Sequence, residues 1–160
     1  MEEIVRIGMA EWVVSKPPIK LSTLGLGSCV GFTVYDPLTK IGGMIHIMLP
    51  SSALTTRLDT PAKFADTGLP LLVQKMEQTG ASRIHMIAKM VGGAEMFKID
   101  TQDERLRIGA RNIEAVEEMS RNLGIKIIAR SVGGNTGKSI TLNLEDGSLQ
   151  VRMISGVIVL

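Results

Sequence analysis

Val30-Gly31-Phe32-Thr33-Val34-Tyr35, Asp36-Pro37-Leu38-Thr39-Lys40 and Ile41-Gly42-Gly43-Met44-Ile45-His46-Ile47-Met48-Leu49 follow one another in the chain. The first and third segments are apolar and rich in β-branched residues. The middle one opens on Asp-Pro, a turn dipeptide. Two strands joined by so short a connection predict an antiparallel hairpin. Side chains alternate along a strand, so Ile41, Gly43, Ile45, Ile47 and Leu49 share one face. Met44, His46 and Met48 share the other. The hairpin brings His46 onto a strand neighbouring the one that Cys29 opens.

Working outward, Ile4 to Met9 and Trp12 to Ser15 are short apolar runs, broken by Lys16-Pro17-Pro18. Ile19 to Leu26 leads into a glycine turn. After the polar stretch Ser51 to Thr60, residues Pro61 to Gln78 carry a helical rhythm in Phe64, Leu71, Leu72 and Met76. Pro61 suits a first turn and Gly80 a stop. Gly68 and Pro70 sit awkwardly inside it and predict a kink or split near Thr67. Ile84 to Val91 reads as a strand. Lys98 to Arg107 reads as a solvated charged loop. Ala110 to Leu123 reads as a helix burying Ile113, Val116, Met119 and Leu123, ended by Gly124. Ile125 to Val132, Ser139 to Leu144 and Leu149 to Ile154 complete a β-rich end, with a hairpin turn at Asp146-Gly147. Eight or nine strands to two helices predict an α+β fold with largely antiparallel sheet.

The 160 residues suit a single domain, 1–160, with its own core. Apolar residues make up 44% but aromatics only 3%, so Ile, Val, Leu and the ten Met must build that core. A formal charge of +2 gives no electrostatic case for nucleic acid or an anionic membrane. No run approaches the roughly 20 apolar residues of a membrane span. Met1-Glu2-Glu3 is acidic where a signal peptide is basic, and one cysteine fits a reducing cytoplasm.

Cys29 ends the run Thr23-Leu24-Gly25-Leu26-Gly27-Ser28-Cys29. A lone thiol with a histidine brought beside it is the minimum kit for a cysteine nucleophile. Gly25 and Gly27 permit positive φ, and amides in the Gly27–Ser28–Cys29 turn can face a developing oxyanion. An adjacent imidazole is a common means of lowering the thiol pKa. Structural readings stand beside these. Cys29 can be a small buried hydrophobe, and His46 can pack between Met44 and Met48. His85, expected on the strand from Ile84 to Met90, is the rival histidine and reads as structural or surface. Thr23 can be an ordinary strand residue, or its hydroxyl can orient an imidazole. Two histidines, one cysteine and scattered carboxylates give no metal spacing. Val132-Gly133-Gly134-Asn135-Thr136-Gly137-Lys138-Ser139 invites a phosphate-loop reading. It lacks the leading glycine, and a strand rather than a helix follows it.

These residues resemble a known family. Thr23 to Val30 is similar to the active-site signature of the bacterial chemoreceptor glutamine deamidases, CheD. Further blocks resemble that family in order along nearly the whole chain. They are Asp36-Pro37, Gly42 to Pro50, Lys63-Phe64-Ala65-Asp66, Gly92 to Phe97, Ile108-Gly109-Ala110-Arg111-Asn112 and Gly133-Gly134-Asn135. The resemblance implies a catalytic triad of Cys29, His46 and Thr23 and no cofactor. It implies a mostly antiparallel β-sandwich flanked by two or three helices, similar to the catalytic domain of cytotoxic necrotizing factor toxins. It implies conversion of glutamines on the cytoplasmic helices of methyl-accepting chemotaxis receptors to glutamates, with binding to the phosphatase CheC in many bacteria. The same chemistry extends to glutamyl methyl esters. Gly68 and Pro70 depart from the pattern and bear on the first helix, not on the triad. Two rival readings are a non-catalytic regulator that binds receptor or CheC, and a cysteine hydrolase with another amide substrate.

Overall fold

A computed structural model describes residues 2–54, 60–96 and 107–160. Within them lie ten strands and two α-helices. The strands are β1 (Ile4–Ile7), β2 (Trp12–Ser15), β3 (Lys20–Leu26), β4 (Val30–Asp36), β5 (Ile41–Ile47), β6 (Ile87–Gly92), β7 (Lys126–Val132), β8 (Lys138–Asn143), β9 (Leu149–Met153) and β10 (Gly156–Val159). The helices are α1 (Ala65–Thr79) and α2 (Ile108–Asn122). The fold is α+β, as the sequence predicts. The short strand β10 was not anticipated as a separate element. The charged stretch from Lys98 lies, up to residue 106, outside the described residues.

The strands form two five-stranded sheets, ordered β1-β3-β8-β9-β10 and β2-β5-β4-β6-β7. Among the described residues six of the eight strand pairings are antiparallel and two are parallel, so both sheets are mixed rather than plainly antiparallel. β1 pairs parallel with β3, and β6 parallel with β7. Both exceptions follow from crossovers. The chain leaves β1 for the other sheet before β3 returns, and α2 intervenes between β6 and β7.

The expected hairpin is present, with Val30 opposite Ile47 and Asp36 opposite Ile41. Both of its strands are buried along their whole length, as befits the middle of a layered molecule. One face, with Phe32, Val34, Ile45 and Ile47, packs under α1 and α2. The other, with Tyr35 and Met44, meets Leu21, Leu26, Ile140 and Val151 of the second sheet. The order of layers is therefore sheet, sheet, helices. His46 shares the Met44 face and points into the layer between the sheets.

Four local expectations are corrected. The segment from Pro61 splits at Phe64, not near Thr67. Pro61–Lys63 is one 3₁₀ turn, Phe64 is extended (φ −115°, ψ 143°), and α1 starts at Ala65 with Pro70 inside it. Gly68 is no flaw, because a Cβ there would lie 2.8 Å from Ile47 Cδ1 and 2.9 Å from Ile45 Cδ1. Its missing side chain lets α1 lie close on β5. His85 is on a 3₁₀ turn, Arg83–His85, ahead of β6. In α2 the fully buried stripe is Gly109, Asn112, Val116 and Ser120, and Ile113, Met119 and Leu123 flank it half-buried.

The hairpin turn is held by Asp36, which is fully buried. Its Oδ1 accepts the amides of Leu38 (2.9 Å) and Thr39 (3.3 Å), and its Oδ2 accepts that of Ser82 (2.9 Å). Burial alone would raise its pKa, but these backbone donors outweigh it and hold the carboxyl below its ordinary value. Asp36→Ala leaves three donors without their acceptor, and is expected to lower the unfolding free energy by about 2–4 kcal/mol in urea titrations. Below pH about 4 the unfolded chain takes up the proton first. Wild-type stability therefore falls with acid there, and the Asp36→Ala protein lacks that component.

Candidate active site

Three elements meet where the hairpin begins. β3 loses its regular register after Thr23, which pairs with Ile140, and resumes it at Leu26, which pairs with Lys138. Gly25, at φ 68°, makes the irregularity. The chain then turns through Gly27 and Ser28 to Cys29 and enters β4. Gly31 pairs with His46, so Cys29, two residues earlier, is a diagonal neighbour of the imidazole on the same face.

Thr23 and His46 are both buried, and Thr23 Oγ1 lies 2.8 Å from His46 Nδ1. The hydroxyl also lies 2.9 Å from the Ile7 carbonyl oxygen. A carbonyl only accepts, so the single hydroxyl proton goes to Ile7. Toward His46 the threonine therefore accepts, and Nδ1 carries the imidazole proton. That leaves Nε2 with its lone pair, buried and without a hydrogen-bond partner. The backbone of His46 is fixed as well. Its carbonyl accepts from Ala10 (3.0 Å) and its amide donates to Glu11 (3.1 Å).

Cys29 is half-buried and packs against the core between the sheets. Its thiol makes no hydrogen bond to Nε2. Burial pushes the thiol pKa up, against a smaller opposing pull from a backbone hydrogen bond, and burial pulls the imidazole down. Both shifts favour a resting pair of neutral thiol and neutral imidazole. This corrects the expectation of a thiol lowered by its neighbour. Thiol and imidazole tighten into contact in many enzymes only when substrate is bound.

The loop bearing Cys29 is tied down at three consecutive carbonyls. Gly27 accepts from the Ala94 amide (2.9 Å), Ser28 from Asn112 Nδ2 (2.9 Å), and Cys29 from the Gly93 amide (2.8 Å). A Cβ on Gly92, itself at φ 115°, would overlap the Cys29 carbonyl oxygen, so this crossing requires glycine. Across a trans peptide the N–H points opposite to the C=O. Tethering the Gly27 and Ser28 carbonyls to the protein therefore turns the Ser28 and Cys29 amides the other way. The sequence reading missed Gly92, Gly93 and Asn112. The available signal for Asn112 was its place one helical turn before the core residue Val116.

His85 stays apart from this group, with Nδ1 4.0 Å from Asp36 Oδ1 and its side chain partly exposed. The glycine-rich segment after β7 crosses from one sheet to the other. Gly133 donates to the Gly92 carbonyl, and the Glu95 amide donates to Gly134. A strand, β8, follows it, so no phosphate loop forms. Among the described residues there is no cluster of three metal-ligating side chains.

A lone thiol, an imidazole with a free nitrogen and a hydroxyl behind it are the parts of a cysteine hydrolase site. Residues 48–153 match the family model described as CheD chemotactic sensory transduction. The chain is 46% identical over 155 residues to "Chemoreceptor glutamine deamidase CheD" of Halalkalibacterium halodurans, covering 96% of each chain. It is 44% identical over 154 residues to "Probable chemoreceptor glutamine deamidase CheD" of Lachnoclostridium phytofermentans, again covering 96% of each. A relative with that same name from Pyrococcus abyssi is 40% identical over 156 residues, 98% of this chain and 95% of its own. The chain belongs to the CheD family. No helix among the described residues is long and apolar enough to cross a membrane.

Proposed function

We propose that the chain is a protein-glutamine deamidase that converts glutamine side chains of chemotaxis receptors to glutamate, with Cys29, His46 and Thr23 as its catalytic group. The observation that carries this reading is the Thr23–His46 hydrogen bond, 2.8 Å long, behind the half-buried Cys29. The names of its relatives give the substrate.

The neutral pair sets the order of steps. His46 Nε2 accepts the thiol proton as Sγ attacks the carboxamide carbon, so charge separation is deferred to the transition state. The Ser28 and Cys29 amides, turned away from their tethered carbonyls, hold the oxyanion in the Gly27–Cys29 loop. The imidazolium returns its proton to the leaving ammonia, and a thioester remains. Water then attacks the thioester, with Nε2 again taking the proton, and releases glutamate and the thiol. A glutamyl methyl ester passes through the same thioester with methanol as leaving group.

The wider reading follows from the same resemblance. Residues 1–160 act as one deamidase domain in the cytoplasm. Their double-sheet core under two helices is akin to the catalytic domain of cytotoxic necrotizing factor toxins. CheC is a second partner beside the receptor helices.

Intact-mass analysis of a receptor cytoplasmic fragment tests the central claim. Each deamidation, replacing NH₂ by OH, adds about one mass unit and releases one ammonia. A bound but unaltered receptor would establish the non-catalytic regulator instead. Ammonia release from other amides alone would establish a different hydrolase.

Thr23 carries a graded expectation. Thr23→Ala leaves nucleophile and base in place but frees the imidazole to rotate, and is expected to lower kcat by about a hundredfold. Thr23→Ser restores the hydroxyl and should recover part of that. Equal kcat in the two variants, compared at matched stability, would transfer the orienting role to another acceptor.

A further inference from the structure

α2 brings the side chain of Asn112 to the site. Asn112 is fully buried, and its Nδ2 lies 2.9 Å from the Ser28 carbonyl oxygen and 2.9 Å from the Met48 carbonyl oxygen. Both partners only accept, so the amide orientation is determined and both Nδ2 protons are used. Oδ1 is left buried with no hydrogen-bond partner. An orphaned buried acceptor is unfavourable, and its retention calls for an explanation. The two donor bonds provide it.

Those bonds join the two segments that carry the chemistry. The β4–β5 ladder has its last rung at Val30 and Ile47. Beyond it the strands part: Ser28 precedes the thiol, and Met48 lies two residues past the imidazole. The Met48 amide has already turned aside to the Lys63 carbonyl (2.9 Å). The carboxamide of Asn112 therefore spans the gap where backbone pairing stops. It also bonds the carbonyl of the peptide whose N–H belongs to Cys29, and a bond to a peptide carbonyl polarises the N–H of the same unit.

We infer that Asn112 is a positioning residue that clamps the Cys29 loop to the end of the His46 strand and sets the Cys29 amide for the oxyanion. This inference rests on the deamidase reading for its catalytic consequence, but not for its geometry. The clamp acts on the transition state more than on substrate binding, so its loss falls on kcat.

Three measurements test it. In the wild-type protein both Asn112 side-chain NH₂ protons should exchange with solvent far more slowly than those of exposed asparagines, by NMR. Exchange at the exposed rate overturns the clamp without any variant being made. Asn112→Leu keeps the branching at Cγ and removes both donors at the cost of added bulk in a buried site, and Asn112→Ala removes both donors without that bulk. With receptor fragment as substrate, kcat in Asn112→Leu should fall about 10- to 100-fold, with KM within about twofold of wild type. The loosened loop should expose the thiol and move the pH profile of Cys29 alkylation by iodoacetamide toward that of a free thiol. Wild-type kcat and an unshifted alkylation profile in folded Asn112→Leu would reduce Asn112 to packing and overturn the inference. Activity in Cys29→Ala would instead remove the catalytic reading, leaving exchange and alkylation to decide the clamp by themselves.

Discussion

Cys29→Ala is expected to lower the deamidation rate by at least about 10⁴-fold, the scale on which loss of a covalent nucleophile acts. The residual rate would come from binding and oxyanion donors, which survive the change. The fold should survive as well. The side chain is small and half-buried, and the loop is held through its carbonyls by Gly93, Ala94 and Asn112 rather than through the thiol. A thermal midpoint within a few degrees of wild type would accompany the loss. A folded Cys29→Ala protein that still deamidates receptor at more than about a hundredth of the normal rate would remove the nucleophile assignment.

His46→Asn is expected to lower kcat by about 10³- to 10⁴-fold, the upper range for a general base that also serves as the acid. Asparagine can keep a donor toward Thr23 Oγ1, which isolates the loss of a titratable nitrogen from the loss of packing. The wild-type pH profile gives an independent check. Burial lowers the imidazole pKa, so the base form persists in acid beyond its ordinary range. The acidic limb of kcat/KM should then lie below pH about 6.5, and His46→Asn should lack it. Stability moves in the same direction. Below pH about 6.5 the unfolded state binds the proton that the folded state refuses, so unfolding becomes easier as pH falls. His85→Ala should leave kcat within about twofold of wild type, since that ring faces Asp36 away from the thiol. A His85→Ala protein that is inactive beside a near-normal His46→Asn protein would reverse the assignment.

Local pattern carried much of this in the sequence itself. The alternation through Ile41 to Leu49 predicts both the hairpin and the face that His46 occupies, because period-two side-chain direction is a property of the strand alone. Gly80 and Gly124 mark the ends of the two helices, since left-handed backbone there favours glycine (φ 118° and 74°). The glycine turn before Cys29 and the single thiol are equally local. Where the local rules erred, a distant surface had intervened. Gly68 looks like a helix breaker until β5 is beneath it, with Ile45 and Ile47 in the space a side chain would fill.

Tertiary structure alone decided the rest. Parallel pairing of β1 with β3 and of β6 with β7 depends on where crossovers land, and no strand records its partner's direction. The protonation of His46 depends on Thr23, which reaches it from the other sheet, and on the Ile7 carbonyl that takes the threonine proton. The resting charge of Cys29 depends on burial, which the core imposes and the neighbouring sequence does not. Asn112 stands 84 residues from Ser28 and 64 from Met48, and its role exists only once α2 has packed over the parting strands. Side-chain direction, turns and helix ends come from forces within a few residues. Proton placement, desolvation and clamping come from groups that meet only after the chain has paid the entropy of closing long loops, so they belong to the folded molecule.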